Sequence, residues 1–286
     1  MKLLIIGDTF VPKWIEAFEE GAINNGLSHE FIDVKKLVIS ATDNNPRVTS
    51  HQQEFEDADI IVMLDERYET VHYFLCLLYP NKRILNKKSL LTHPNLSNKF
   101  IQSIVIQKFA DITPKAVFTP QAENLTSDDI TFPMVTKNSN SEVSYTGYGV
   151  GLVNNIEDVK AVFNHRPIHE IKIEEFLAMD EIYDFRTIVL DGVPLGTVKR
   201  NSVEGFKSNM SDKQEKYLQS EEILDKLSSL CKSLGLEYCG IDYILHEGKL
   251  KIFEINRFPF FGRFQDAVGI HLGEIIIKHL VSTINE

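Results

Sequence analysis

The chain has 286 residues, 43% hydrophobic and 25% charged, a balance that suits a globular protein of one large or two to three smaller subdomains. Its formal net charge of −11 argues against a nucleic-acid-binding surface, because affinity for phosphate backbones rests on clustered lysine and arginine. No apolar stretch approaches the ~20 residues needed to span a bilayer, so no membrane partner is expected.

The opening segment MKLLIIGDTF reads as a strand. Its apolar run is too short for the core of a signal peptide, and a cytoplasmic location is expected. Cys76, Cys231 and Cys239 are odd in number and lie in apolar surroundings, which favours buried thiols in a reducing compartment over a disulfide framework. Trp14, Ala17, Phe18 and Gly21 fall at helical spacing, and 31–34 and 59–64 read as further strands. Strands alternating with helices predict a small parallel α/β domain over residues 1–95.

A second unit is expected over 96–177. Asn98 opens a helix to about Ala110, and a strand ends at Thr119-Pro120. Thr131 to Lys137 forms an apolar strand that delivers a lysine beside the loop NSNSEVSYTGYGVGLVNN. A point charge next to close-approaching backbone around Gly147 and Gly149 can hold a polyphosphate, although a bare GxG also fits a hairpin turn. Ile171 to Leu177 follows as a strand.

The third expected unit covers 178–286. Asp191-Gly192 is a hairpin signal joining two strands, which brings Arg186 towards Lys199 and Arg200. Such a concentration of positive charge in an acidic chain suits phosphate and a carboxylate. Tyr217 to Leu236 reads as a helix stopped by Gly235, and Val268 to Ser282 as another. Between them, His246-Glu247-Gly248 separates two alternating runs, so Lys251 to Asn256 should return alongside Gly240 to Tyr243. Asp242, Glu254 and Asn256 then share one face. An amphipathic hairpin with a solvated face would show the same alternation; two carboxylates and an amide also suit a hard cation such as magnesium. The run RFPFFGRF that follows is unusually aromatic for an exposed loop, and Arg257 and Arg263 within it could pair bidentately with a substrate carboxylate.

An aspartate, a hairpin and then Glu-x-Asn resemble the magnesium signature of the ATP-grasp ligases, and the segments from about Asn98 onward resemble the RimK-like and glutathione-synthetase-like branch. The resemblance implies an ATP-grasp fold behind an N-terminal parallel α/β domain that walls off part of a substrate cleft. It implies ATP and Mg²⁺ as cofactors, two ions with Mn²⁺ as an alternative. Lys99 and Lys137 would bind phosphate, and the Gly147–Gly149 loop would act as a lid. The segment Glu174, Glu175, Phe176 and Leu177 would pair with the adenine edge. Asp184, Arg186, Arg200 and Asn209 match an acid-x-Arg, a returning basic residue and an asparagine; Met210-Ser211-Asp212 departs from the glycine pair usual there. Arg186, Arg200 and Asn209 are the expected catalytic residues, with Asp184 and Lys199 beside the nucleotide. The implied reaction joins a carboxylate to an amine, each from a small molecule or peptide, through an acyl phosphate. A small-molecule kinase and a non-catalytic nucleotide-binding module are the alternatives, and a homodimer is common in the resembled family.

Overall fold

The computed structural model describes residues 1–9, 12–42, 45–50, 55–109, 112–119, 121–126, 130–139, 150–164, 171–202 and 214–285. The first strand, β1 (Lys2–Gly7), is apolar and buried along nearly its whole length, as a strand covered on both faces requires. Helix α1 (Pro12–Asn24) buries Trp14, Phe18 and Ala22 at helical spacing and leads to β2 (Ser28–Asp33). A hairpin of β3 (Leu37–Thr42) and β4 (Asn45–Ser50) intervenes before β5 (Ile60–Met63), α2 (Glu69–Leu78), β6 (Arg83–Ile84) and α3 (Lys87–Thr92). The sheet order is β2-β1-β5-β6, all parallel, as the alternation of strands and helices predicted. The β3–β4 hairpin had not been expected.

Helix α4 (Lys99–Gln107) is capped by Asn98, whose side chain accepts from the Phe100 and Ile101 N–H groups at 3.0 and 3.1 Å. It precedes a second sheet built from β7 (Ala116–Thr119), β8 (Met134–Asn138), β9 (Gly151–Val153) and, after α5 (Ile156–Asn164), β10 (Ile171–Glu175). Its order is β7-β10-β8-β9, antiparallel throughout, and it packs on its own apolar cluster with Leu125, Ile130 and Val159.

The third sheet is also antiparallel, with order β13-β12-β11-β14-β15. It runs through β11 (Tyr183–Leu190), β12 (Val193–Asn201) and β13 (Gln214–Tyr217), then α6 (Glu221–Ser233), β14 (Tyr238–His246) and β15 (Lys249–Asn256). Both expected hairpins form. Asp191 and Gly192, and likewise Glu247 and Gly248, hold positive φ, the conformation that matches strand twist in a two-residue turn. The helix expected from Tyr217 starts later, because Tyr217 itself ends β13. The helix expected from Val268 to Ser282 forms as α8 (Leu272–Ser282), starting later; α7 (Gly262–Val268), which had not been expected, precedes it and ends where Gly269 adopts a left-handed cap.

One core binds the first sheet to the third. Leu3, Ile5, Ile60 and Val62 from one face of the parallel sheet join Ile188, Val198 and Tyr238, together with Trp14 and Phe18 of α1 and Leu272 and Ile276 of α8. The helices α1 and α8 touch backbone to backbone: a Cβ added to Gly273 would lie 2.1 Å from the Ala17 carbonyl oxygen. Among the described residues no helix is long and apolar enough to cross a membrane.

Candidate active site

The site is assembled on one face of the third sheet. In the register of β14 and β15, Asp242 lies opposite Glu254 and Gly240 opposite Asn256, so the three oxygen-bearing side chains share a face. The register shifts just after Asp242, a bulge of the kind that re-aims a side chain. Gly240 lets the following loop fold back, since a Cβ there would meet the Pro259 ring at 2.6 Å.

Asp242 is held by two arginines. Arg186 sits opposite it on β11 and donates from Nε and Nη2 to the two carboxylate oxygens, both at 2.7 Å. Arg200 reaches Asp242 at 3.1 Å and also grips Asp184 with two bonds of 2.6 Å. All four side chains are nearly buried. Burial alone would raise the Asp242 pKa; the charges and hydrogen bonds of Arg186 and Arg200 overcome it and hold the carboxyl well below the usual range. Arg200 is buried too, yet Asp242 and Asp184 push its pKa above the ordinary guanidinium value.

Lys99, buried at the first turn of α4, pairs with Glu254 at 2.7 Å. Its backbone N–H donates to the Ser139 carbonyl at 2.7 Å, which fixes the helix start against the end of β8. Gln102, one turn on, supplies both halves of a strand-like pair to Ile255, donating to its oxygen at 2.7 Å and accepting from its N–H at 2.9 Å. That amide closes the free edge of β15, and nothing in its sequence context marks it out.

On the second sheet Lys137 pairs with Glu174, and its ammonium lies 4.9 Å from the centre of the Phe253 ring. Glu174 also receives Lys172 at 2.6 Å. Burial would raise its pKa, but the two lysines bring the carboxyl down to about 2. Glu175 closes β10, its N–H donating to the Lys115 carbonyl at 2.8 Å, and the Phe176 N–H meets the Pro133 carbonyl at 3.4 Å. Leu177 is just buried beyond the strand.

Two expectations change. Lys199 does not join Arg186 and Arg200, because neighbouring residues on a strand point to opposite faces; it lies 4.2 Å from the centre of the Tyr183 ring and 3.8 Å from Glu181. Arg257 is only 3% exposed and serves as a tie to the first unit, pairing with Glu69 and reaching Ser89 and the His93 carbonyl. That burial removes it from the role of substrate clamp. Arg263 is exposed in the first turn of α7. Phe258, Phe261 and Phe264 are core residues, with Phe261 stacked on Trp14 at 5.5 Å. Gly147, Gly149 and Asn209 lie outside the described residues.

The RimK-like ATP-grasp domain matches residues 88–280, which takes in the whole of this site. The chain belongs to the RimK-like ATP-grasp family. It is 30% identical over 114 residues to the tetrahydromethanopterin:alpha-L-glutamate ligase of Methanocaldococcus jannaschii, covering 38% of this chain and 39% of that protein. A probable alpha-L-glutamate ligase of Psychromonas ingrahamii is 25% identical over 113 residues, or 38% and 37% of the two chains. The chain therefore spans under two fifths of the length of these relatives. The ATP-grasp ligase PsnB complexed with a minimal precursor superposes with a TM-score of 0.73 at 13% identity, covering 98% of both chains. D-alanine–D-alanine ligase from Bacillus anthracis, complexed with ATP, gives 0.69 at 18% identity over 100% and 98%. At those identities the likeness establishes the ATP-grasp fold.

Proposed function

We propose that the chain is an ATP-dependent carboxylate–amine ligase acting on an amino acid or peptide, in which ATP activates the acid as an acyl phosphate and an amine displaces the phosphate. The observation that supports it most is the convergence of Arg186, Arg200 and Lys99 on Asp242 and Glu254. In this face Asp184, Asp242 and Glu254 balance three fixed cations, so the site is pre-organised for exchange of partners when polyphosphate arrives.

The donor set fits magnesium. Asp242, Glu254 and Asn256 offer only oxygen ligands, few in number, as expected where nucleotide phosphates and water complete the shell. When bound, the ion would neutralise phosphate charge during in-line transfer. Two ions, with manganese as a substitute, belong to this proposal. Lys99 and Lys137 would hold phosphate oxygens, Glu174 to Leu177 would border the adenine, and Asp184 would keep Arg200 oriented. Arg186 and Arg200 would steady the oxyanion of the acyl phosphate, with Asn209 positioning the reacting groups and the segment at Gly147 and Gly149 excluding water. Arg263 would meet a substrate carboxylate. The units 1–95, 96–177 and 178–286, a homodimeric assembly and a cytoplasmic location complete the reading; burial of all three thiols supports the last.

The test is phosphate release from ATP with magnesium in pools of amino acids and dipeptides, with mass spectrometry of any active pool. A condensed product with stoichiometric ADP and phosphate supports the ligase. Phosphorylated product without an amide, or activity unchanged in Glu254→Ala, refutes it.

A further inference from the structure

Glu174 is shared by two lysines that the fold treats differently. Lys172 stands opposite Lys137 in the β8–β10 register and two residues before Glu174, so all three side chains lie on one face of the second sheet. The Lys172 and Glu174 side chains are 0% and 2% exposed, whereas that of Lys137 is 16% exposed. Of the two ammonium groups, Lys137 is the one with access to solvent, and the Phe253 ring gives it a second, uncharged resting surface.

The charges do not cancel. Two ammonium groups around one carboxylate leave an excess positive charge in a nearly dry place, a costly arrangement unless an anion completes it. Burial and the neighbouring Lys137 and Lys99 lower the Lys172 pKa, against the pull of Glu174. Glu174 itself stays ionised at neutral pH, so it cannot let Lys137 go by taking up a proton. If Glu174 needed only a structural partner, Lys137 would suffice, and the two would close into a neutral buried pair. A second lysine prevents that closure.

We infer that Lys172 is the standing counter-ion of Glu174, and that its presence lets Lys137 leave that carboxylate for a nucleotide phosphate. Lys172 is thus a positioning residue acting through Lys137. The inference rests on the proposed reading of Lys137 as a phosphate ligand.

Calorimetric titration with ATP plus magnesium, and separately with adenosine, tests it on wild type, Lys137→Met, Lys172→Met and the double variant Lys172→Met/Glu174→Gln. Coupled neighbours of this kind interact strongly enough that Lys172→Met should weaken ATP binding about tenfold or more, with adenosine changed less than about twofold. The double variant should recover most of the ATP affinity, because Lys137 then has no carboxylate to hold it and the pairing proposed for the adenine edge is made by backbone groups that Glu174→Gln leaves in place. Equal losses for ATP and adenosine, or no recovery in the double variant, overturn the inference. If Lys172→Met does not fold, as circular dichroism would show, the double variant carries the test, since the one cation it leaves without a carboxylate, Lys137, has access to solvent. ATP affinity within about threefold of wild type then supports the inference, and a roughly tenfold loss overturns it by making Lys172 a direct ligand. A wild-type protein that binds no ATP defeats the proposed function; loss in Lys137→Met with none in Lys172→Met defeats this inference alone.

Discussion

Replacing Asp242 by asparagine should destabilise the protein before any nucleotide or metal is added. The Asp242 side chain is 8% exposed and accepts from two arginines at 2.7, 2.7 and 3.1 Å. Removing one partner of a buried pair costs about 3–5 kcal/mol, because the other charge is left without compensation. Arg200 keeps its two bonds to Asp184, so Arg186 bears most of the loss and the low end, about 3 kcal/mol, applies. For a chain of this size that corresponds to a fall of roughly 6–12 °C in Tm. Adding Arg186→Met should return part of it, with a coupling of about 1–3 kcal/mol between the two positions. Because the arginines depress the Asp242 pKa, its contribution is complete above the ordinary carboxylate range and disappears as pH falls below it. Thermal unfolding by circular dichroism in chelator at neutral pH is the assay. A Tm within a degree or so of wild type, or strictly additive effects in the double variant, would refute the reasoning.

Asn98→Ala removes the cap of α4 and should cost about 1 kcal/mol while raising the KM for ATP, since Lys99 is the next residue; chemical denaturation and a coupled ADP assay read the two effects. Gly273→Ala forces a methyl group against the Ala17 carbonyl and should destabilise by about 1–3 kcal/mol, with an unchanged Tm counting against the helix contact. Glu237 is held below the ordinary glutamate range: burial raises its pKa, and the bonds from His279 and Arg83 outweigh that. Its stabilisation is therefore present above about pH 4.3 and fades as pH falls through the lower, folded value. The Tm gap between wild type and Glu237→Gln should narrow on acidification; a constant gap from neutral pH to about pH 3 would contradict it.

Legibility in the sequence followed how local the cause was. Asp191-Gly192 and Glu247-Gly248 announce their hairpins because only the two central residues set the turn, and alternation then places Asp242 beside Glu254. The same alternation could have separated Lys199 from Arg200. Gly269 carries a local signal of the same kind, a left-handed cap just after Val268, yet the apolar run from Val268 to Ser282 reads as one helix. Other features have no local cause. Lys172 sits in IKIEE, where an alternating strand would put its lysine in water, and its burial comes from packing across the sheet face. Arg257 follows Asn256 and resembles an exposed clamp until the first unit docks on it through Glu69 and Ser89. Gln102 occupies an ordinary helical position, and only the unpaired edge of β15 gives it a task.

The close contact of α1 with α8 also governs when the protein can fold. The apolar face of α1, with Trp14 and Phe18, is synthesised long before Leu272 and Ile276, which cover it. Contacts of such long sequence separation slow folding and leave early-made apolar surface waiting for its cover. The second sheet, with a cluster of its own, has no such wait. Truncation before α8 would therefore strip the cover from the opening helix while sparing the middle of the chain, and the shortened protein should aggregate through its N-terminal unit.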